Sequence, residues 1–407
     1  MNALDTAATP ATAATPAAPA VLRPAARAAA VTSSAVREIL KLTQMPDMIS
    51  LAGGLPAPES FPVEELRAAF DHVLATMGTR ALQYSLTEGE PGLRAWIADR
   101  ETRAGVPTRP DEVLVVASSQ QGLALIAKAF VEPESPTIVE SPTYLGALQA
   151  FSVFGPSYRL LPTDEGGAIP EALEEIGPGA SFAYLTPNFQ NPTGRLISAE
   201  RRAAIADAAR RHDFWIVEDD PYGELWYEAA PPASLRTWAP ERTLRLCSFS
   251  KVLAPGLRLG YITGPAEAIG LLVRLKQATD LQTGTLIQLA AQHVLEGGLL
   301  ERHLPAVRGR YAHAASVMLD ALGSSMPAGV TWTRPVGGMF VWATLPAGMD
   351  AANVLARAIE RKVAFVPGVA FYAAEPALNT MRLSFATVPE ARLREGVGIL
   401  GEVIAAG

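Results

Sequence analysis

The chain predicts an α/β fold with a largely parallel sheet, followed by a second, smaller α+β unit. Two observations carry that expectation. Between residues 61 and 290, short apolar runs alternate with longer amphipathic stretches, the pattern of β-α-β units whose strands are covered on both faces. Every segment suited to chemistry falls just after one of the apolar runs, and ligands of such sheets gather outside the carboxyl ends of the strands.

The predicted strands of the first unit are Val113 to Val116, Thr137 to Val139, Phe182 to Leu185, Phe214 to Val217, Leu244 to Cys247 and Leu259 to Ile262. Gln121 to Val131 and Ala199 to Arg211 read as helices between them. A long helical region follows, from about 266 to 323, with interruptions expected near Gly297-Gly298 and Pro305. Then the texture changes. Val330 to Leu345, Val363 to Val366 and Met381 to Phe385 read as strands, with a helix at about 351 to 361. This divides the chain into a tail (1–26), an N-terminal segment that packs on the small unit (27–60, with a helix from Ser34 to Leu42), a large unit (61–290) and a small C-terminal unit (291–407).

Composition excludes several functions. At 407 residues, 49% hydrophobic and 18% charged, the chain can bury a large core. A net charge of −7 and no Lys/Arg block speak against a nucleic-acid surface. The single cysteine, Cys247, allows no internal disulfide and reads as a small buried hydrophobe. The five histidines show no metal-binding spacing. The Ala/Pro/Thr-rich first 26 residues lack the basic start and apolar core of a secretory signal and read as disordered. With no long apolar run, a cytoplasmic protein is expected.

The chemistry centres on Lys251, in Leu246-Cys247-Ser248-Phe249-Ser250-Lys251, about thirty residues beyond Glu218-Asp219-Asp220-Pro221-Tyr222. A lysine beyond an apolar strand, flanked by hydroxyls and preceded by an acidic strand end, suits a Schiff base with pyridoxal phosphate (PLP). One carboxylate of the acidic cluster would hold the pyridine ring protonated, and Tyr222 could donate to its phenolic oxygen. Arg258 offers a fork for the phosphate, with Ser248 and Ser250 as further donors. Ser118-Ser119-Gln120 opens a helix, as either a phosphate site or an ordinary cap. Asn191-Pro192-Thr193-Gly194 is turn material placed to view the site. Tyr144 is an aromatic at a strand end, and Arg382 is a charge inside an apolar strand that needs an anionic partner. The S-x-x-K pattern of serine acyl-enzymes is also satisfied by Ser248 to Lys251, but its companion motifs S-D-N and K-T-G are absent from the chain.

Taken together, and in this order, these motifs resemble the class I/II aminotransferases of PLP fold type I, from about residue 30 to the C-terminus. The similarity is nearest to the 2-aminoadipate subgroup, through Ile49 to Pro56, Phe189 to Gly194, Gly337 to Trp342 and Phe365 to Gly368. The resemblance implies a large domain with a mainly parallel seven-stranded sheet, and a ping-pong transfer of an amino group to a 2-oxo acid such as 2-oxoglutarate. It implies that Lys251 binds the cofactor and moves the proton, that Asp219 pairs with the ring nitrogen, and that Asn191 and Tyr222 hold the phenolic oxygen. Tyr144 would stack on the ring. Ser118, Ser119, Gln120, Ser248, Ser250 and Arg258 would surround the phosphate, joined by Tyr84 from the partner of a homodimer. Arg382, with Gly54 and Asn191, would take the substrate carboxylate, and Arg37 matches a position that reads a distal one. Related frameworks serve aromatic, branched-chain and kynurenine donors. Transcription regulators built on the same domain need roughly seventy more N-terminal residues and a basic recognition helix, whereas the resemblance here begins near residue 30. Two departures stand out: Ser118 where glycine is usual, and Val252 where threonine is common.

Overall fold

A computed structural model describes residues 22–29 and 47–407 of the chain. Arg37, the helix expected from Ser34 to Leu42 and most of the expected disordered tail lie outside the described residues. The chain enters through β1 (Ile49–Ser50) and the helices Val63–Ala81 and Pro91–Arg103. The large sheet then takes β2 (Val113–Val116), β3 (Pro136–Ser141), β4 (Ser157–Asp164), β5 (Gly167–Ala168), β6 (Phe182–Leu185), β7 (Trp215–Asp220), β8 (Thr243–Ser248) and β9 (Gly260–Thr263). Their order is β2-β9-β8-β7-β6-β3-β4-β5.

Seven strands of four or more residues form this sheet, and the two-residue β5 adds an eighth at the edge. The neighbours β4-β3-β6-β7-β8 are parallel, while β9 runs antiparallel between β8 and β2. All four residues of β2, β6 and β9 are buried, as a sheet covered on both faces requires. The helices Ser119–Phe130 and Ala199–His212 cover opposite faces, in separate apolar clusters.

The expected break at Pro305 is corrected: Leu299–Ser325 is one helix with Pro305 inside it. The lost hydrogen bond is outweighed by the stripe it helps bury, including Leu304, Val307, Tyr311 and Met318. The earlier interruption near Gly297-Gly298 does occur, with Gly298 left-handed at φ 70°. The division expected at 290/291 runs through the middle of a helix, Thr285–Glu296. The predicted strand Val330 to Leu345 is two, β10 (Thr331–Trp332) and β11 (Phe340–Thr344), because Pro335 and the Gly337-Gly338 pair turn the chain between them. Likewise Val363 to Val366 divides into β12 (Val363–Ala364) and β13 (Val366–Pro367), which serve different sheets.

The small sheet has the order β10-β11-β14-β13, with β14 at Thr380–Ser384. The N-terminal segment is laced into it. β1 pairs in parallel with β12, and Leu51 donates its N–H to Ala364 O and accepts from Ser384 N, at 2.7 and 2.8 Å. Ile49, Leu51 and Ala52 join the same apolar cluster as β11 and β14. That threading carries Gly53 and Gly54 to the mouth of the large sheet.

Candidate active site

A cavity of about 420 Å³ opens at the carboxyl ends of the parallel strands. It is lined by Gly54, Ser118, Ser119, Gln120, Tyr144, Asn191, Asp219, Tyr222, Ser248, Ser250, Lys251, Arg258 and Arg382, so residues spread over the whole sequence meet there. Two expected residues are not in it. Tyr84 lies on the surface, 75% exposed, and Arg37 lies outside the described residues.

Local structure positions each group. The expected strand Phe214 to Val217 runs on into the acids, ending at Asp220. The pleat then sends Asp219 to one face and Glu218 and Asp220 to the other. Asp220 is held away from the cavity, by Gly223 N at 2.8 Å and Arg245 Nη2 at 2.7 Å. Beyond β6, a Gln190–Thr193 side-chain bond of 2.5 Å and a Gly194 N to Gln190 O bond of 2.6 Å close the turn that presents Asn191. Gly194 sits at φ 70°, and a Cβ there would come within 2.7 Å of Phe340 O, so this turn requires glycine. Buried Arg202 braces the same loop through Pro187 O, Asn188 Oδ1 and Ile197 O.

Ser118 precedes the helix Ser119–Phe130 with φ 79° and ψ 160°, a backbone region that side chains disfavour. The departure from glycine noted in the sequence therefore has a physical consequence: strain at the turn. Ser118 O accepts from Gln121 N and Gly122 N, so the first free N–H groups of the helix belong to Ser119 and Gln120. Gln120 Nε2 is tied to Gly146 O at 2.8 Å. Gly260 of β9 admits this turn closely, since a Cβ there would lie 3.2 Å from Ser119 N. With Ser248, Ser250 and exposed Arg258 alongside, the helix start can hold a phosphate.

Lys251 Nζ donates to Gly54 O at 2.7 Å. Burial, with Arg382 and Arg258 nearby, pulls its ammonium down to about 8, which makes a neutral amine accessible near physiological pH. Arg382 is 3% exposed and sits over the rings of Phe340 and Phe371, at 4.4 and 5.0 Å. Its Nη1 donates to Asn191 Oδ1 at 2.9 Å and its Nη2 to Ala52 O at 2.6 Å. Among the described residues no carboxylate pairs with it, and burial lowers it to about 10.

Two orphaned buried atoms test whether these residues fit PLP and an amino-acid substrate. Asp219 Oδ1 has no hydrogen-bond partner, and burial raises this carboxyl to about 7; a protonated pyridine nitrogen would satisfy both. Arg382 Nε is also without a partner, as expected of a guanidinium awaiting a carboxylate. The residues fit. Bound there, PLP supplies an aldehyde that takes the amino group and a ring that withdraws electrons from the reacting carbon.

Sequence reasoning missed Tyr184, Thr186, Leu55, Leu145 and Gln149, all lining the cavity. For Tyr184 and Thr186 a signal existed: alternation along β6 puts both on one face. The other three carried none.

The fold and this cavity define a PLP enzyme of fold type I. The family model for aminotransferase class I and II matches residues 46–400, and the chain belongs to that family; it is a PLP-dependent transaminase. It is 43% identical to aromatic-amino-acid aminotransferase 1 of Thermococcus litoralis over 387 residues, covering 93% of each chain. It is 43% identical to 2-aminoadipate transaminase of Thermus thermophilus over 380 residues, covering 92% of this chain and 94% of that one. Among solved structures, Pyrococcus horikoshii kynurenine aminotransferase, in a complex with PMP, superposes with a TM-score of 0.90 at 41% identity, covering 94% of this chain and 96% of that chain.

Proposed function

We propose that the chain moves the amino group of a long dicarboxylic L-amino acid, of the 2-aminoadipate type, to 2-oxoglutarate. Arg382 carries the amino-acid part of this reading: a buried guanidinium without an ion pair among the described residues, lining one cavity with the lysine, calls for the α-carboxylate that every amino donor has. Lys251, as the neutral amine, would be the base that takes the proton from the substrate α-carbon and carries it within the cavity. With PLP bound, Asp219 would hold the ring nitrogen's charge, and Asn191 and Tyr222 would be the donors for the phenolic oxygen.

The distal carboxylate needs its own cation. Among the described lining residues, the cations are Lys251, Arg258 and Arg382, each already given a role. The resemblance to the 2-aminoadipate subgroup assigns that role to Arg37, and the similarity to the 2-aminoadipate transaminase supports it. A second reading takes aromatic donors, supported by Leu55 and Leu145 in the wall and by the aromatic and kynurenine relatives. A donor panel decides between them. With Arg37→Ala, use of 2-aminoadipate and glutamate should fall at least about tenfold, a charged contact's worth, with leucine and phenylalanine unchanged. Equal losses for all donors would leave the aromatic reading.

We further infer a cytoplasmic homodimer. Leu82, Tyr84 and Leu86 are exposed beside exposed Leu281, and Ser85 N is hydrogen-bonded to the Gln282 side chain, so these form one surface patch suited to a partner. Among the described residues no helix is long and apolar enough to cross a membrane.

A further inference from the structure

We propose that Tyr184, on β6, is the positioning residue that aims Asp219 at the ring nitrogen of the cofactor and supports its negative charge. The inference rests on the reading of Asp219 as the acid partner of that nitrogen. Tyr184 Oη donates to Asp219 Oδ2 at 2.7 Å. Both residues are buried, at 0% and 2% exposure, where a hydrogen bond to a charge is strong because water cannot replace it.

Geometry makes the bond directional. The Tyr184 ring is held edge-on by Phe151, at 5.5 Å and 80°, so the hydroxyl has little freedom. Engaging Oδ2 leaves Oδ1 as the free acceptor, and Oδ1 is the atom without a partner. Rotating the carboxylate would break this bond at a buried position, where Tyr184 is its one donor among the described residues.

The charge needs this support. Asp220 adds a like charge from the same strand, and burial already disfavours the ionised form. Tyr144 faces Asp219 from beyond β3. Lys251, Arg258 and Arg382 lie elsewhere around the cavity, and none hydrogen-bonds to Asp219 among the described residues. Tyr184 is the one donor that the described protein provides to this carboxylate.

The experiment is equilibrium binding of PLP to cofactor-free protein between pH 6 and 9. Tyr184→Phe removes one oxygen and keeps the ring and its Phe151 contact; a thermal melt checks the fold. At pH 6 the variant should bind PLP about tenfold more weakly, the difference between a hydrogen bond to a charged and to a neutral acceptor. The loss should shrink above pH 8, where the free carboxyl is ionised and both states carry the same unsupported charge. In an Asp219→Asn background, Tyr184→Phe should have no effect. A loss that is uniform across pH, or equal in the Asn background, makes Tyr184 merely structural and overturns the proposal, as does no loss at all. 3-Fluorotyrosine at position 184, a stronger donor, should tighten binding at pH 6; weaker or unchanged binding counts against the proposal. If Asp219→Asn alone binds PLP like the wild type, the reading of Asp219 itself falls, and the proposal with it.

Discussion

Arg382 and Asn191, 191 residues apart in sequence, are joined by a 2.9 Å hydrogen bond from Nη1 to Oδ1. The bond links β14 of the small sheet to the turn beyond β6 of the large one. It fixes the guanidinium between Phe340 and Phe371 and leaves Nε unsatisfied. The site is thus strained toward an anion before one arrives, because a buried charge lacking a counter-ion is costly.

The first expectation follows. Arg382→Ala should lower kcat/KM by about 10³-fold or more, the loss of two charge-assisted hydrogen bonds, with PLP still bound. Arg382→Lys should recover only part, since an ammonium cannot form the same planar fork. Steady-state kinetics with spectra of the resting enzyme measure both. A variant with normal kcat/KM would remove the assignment.

A second concerns pH and stability. Lys251 titrates in the folded protein near 8, below an unfolded lysine. A depressed ammonium destabilises the fold wherever it must stay protonated. The penalty is therefore complete below pH 8 and disappears as pH rises toward the ordinary lysine range. Cofactor-free Lys251→Met should be more stable than the wild type at pH 7 by about 2–3 kcal/mol, with the gap closing between pH 8 and 10.5. Chemical denaturation at a series of pH values reads this directly. The same variant should show no transamination.

Much of this architecture was legible from residues alone, for identifiable reasons. Phe182 to Leu185 and Val113 to Val116 are wholly buried, so their apolar runs match the strands residue for residue. β4 was not legible because only Leu161 in it is fully buried while Ser157, Pro162 and Asp164 are exposed, and its sequence lacks both an apolar run and a clean alternation. The break between the helices Ala266–Asp280 and Thr285–Glu296 was hidden because Leu281, at φ 68°, is an apolar residue in a conformation that composition does not announce. In the site, residues at strand ends were readable because a strand end is where ligands bind. Tyr184 was not, since a tyrosine inside an apolar strand looks like core until its hydroxyl is seen to meet Asp219.

Ser118 supplies a third expectation. Its φ of 79° with ψ of 160° is a conformation that glycine reaches freely and serine does not. Ser118→Gly should raise the stability of the cofactor-free protein by about 1 kcal/mol or more, the usual scale of such strain, less the flexibility that glycine adds to the unfolded chain. PLP affinity should stay within a few-fold, because the N–H groups offered at the helix start belong to Ser119 and Gln120. A melting temperature that falls on this substitution would mean that the serine side chain contributes more than its backbone costs.

The last expectation joins the surface to the cavity. Tyr84 is 75% exposed in the single chain and makes no side-chain hydrogen bond among the described residues, so its removal should not disturb the monomer's fold. If it completes the phosphate site of a second copy, Tyr84→Phe should leave the melting curve of the cofactor-free protein in place yet speed PLP loss on dialysis. Light scattering gives the mass in solution. A mixed dimer then isolates the contact: Tyr84→Phe combined with Lys251→Ala on one chain, against a wild-type partner. The single intact lysine then belongs to the wild-type chain, and the tyrosine that serves it would come from the doubly substituted one. The mixed dimer should therefore lose PLP as fast as the Tyr84→Phe homodimer does. Retention at the wild-type rate would show that each chain holds its phosphate unaided.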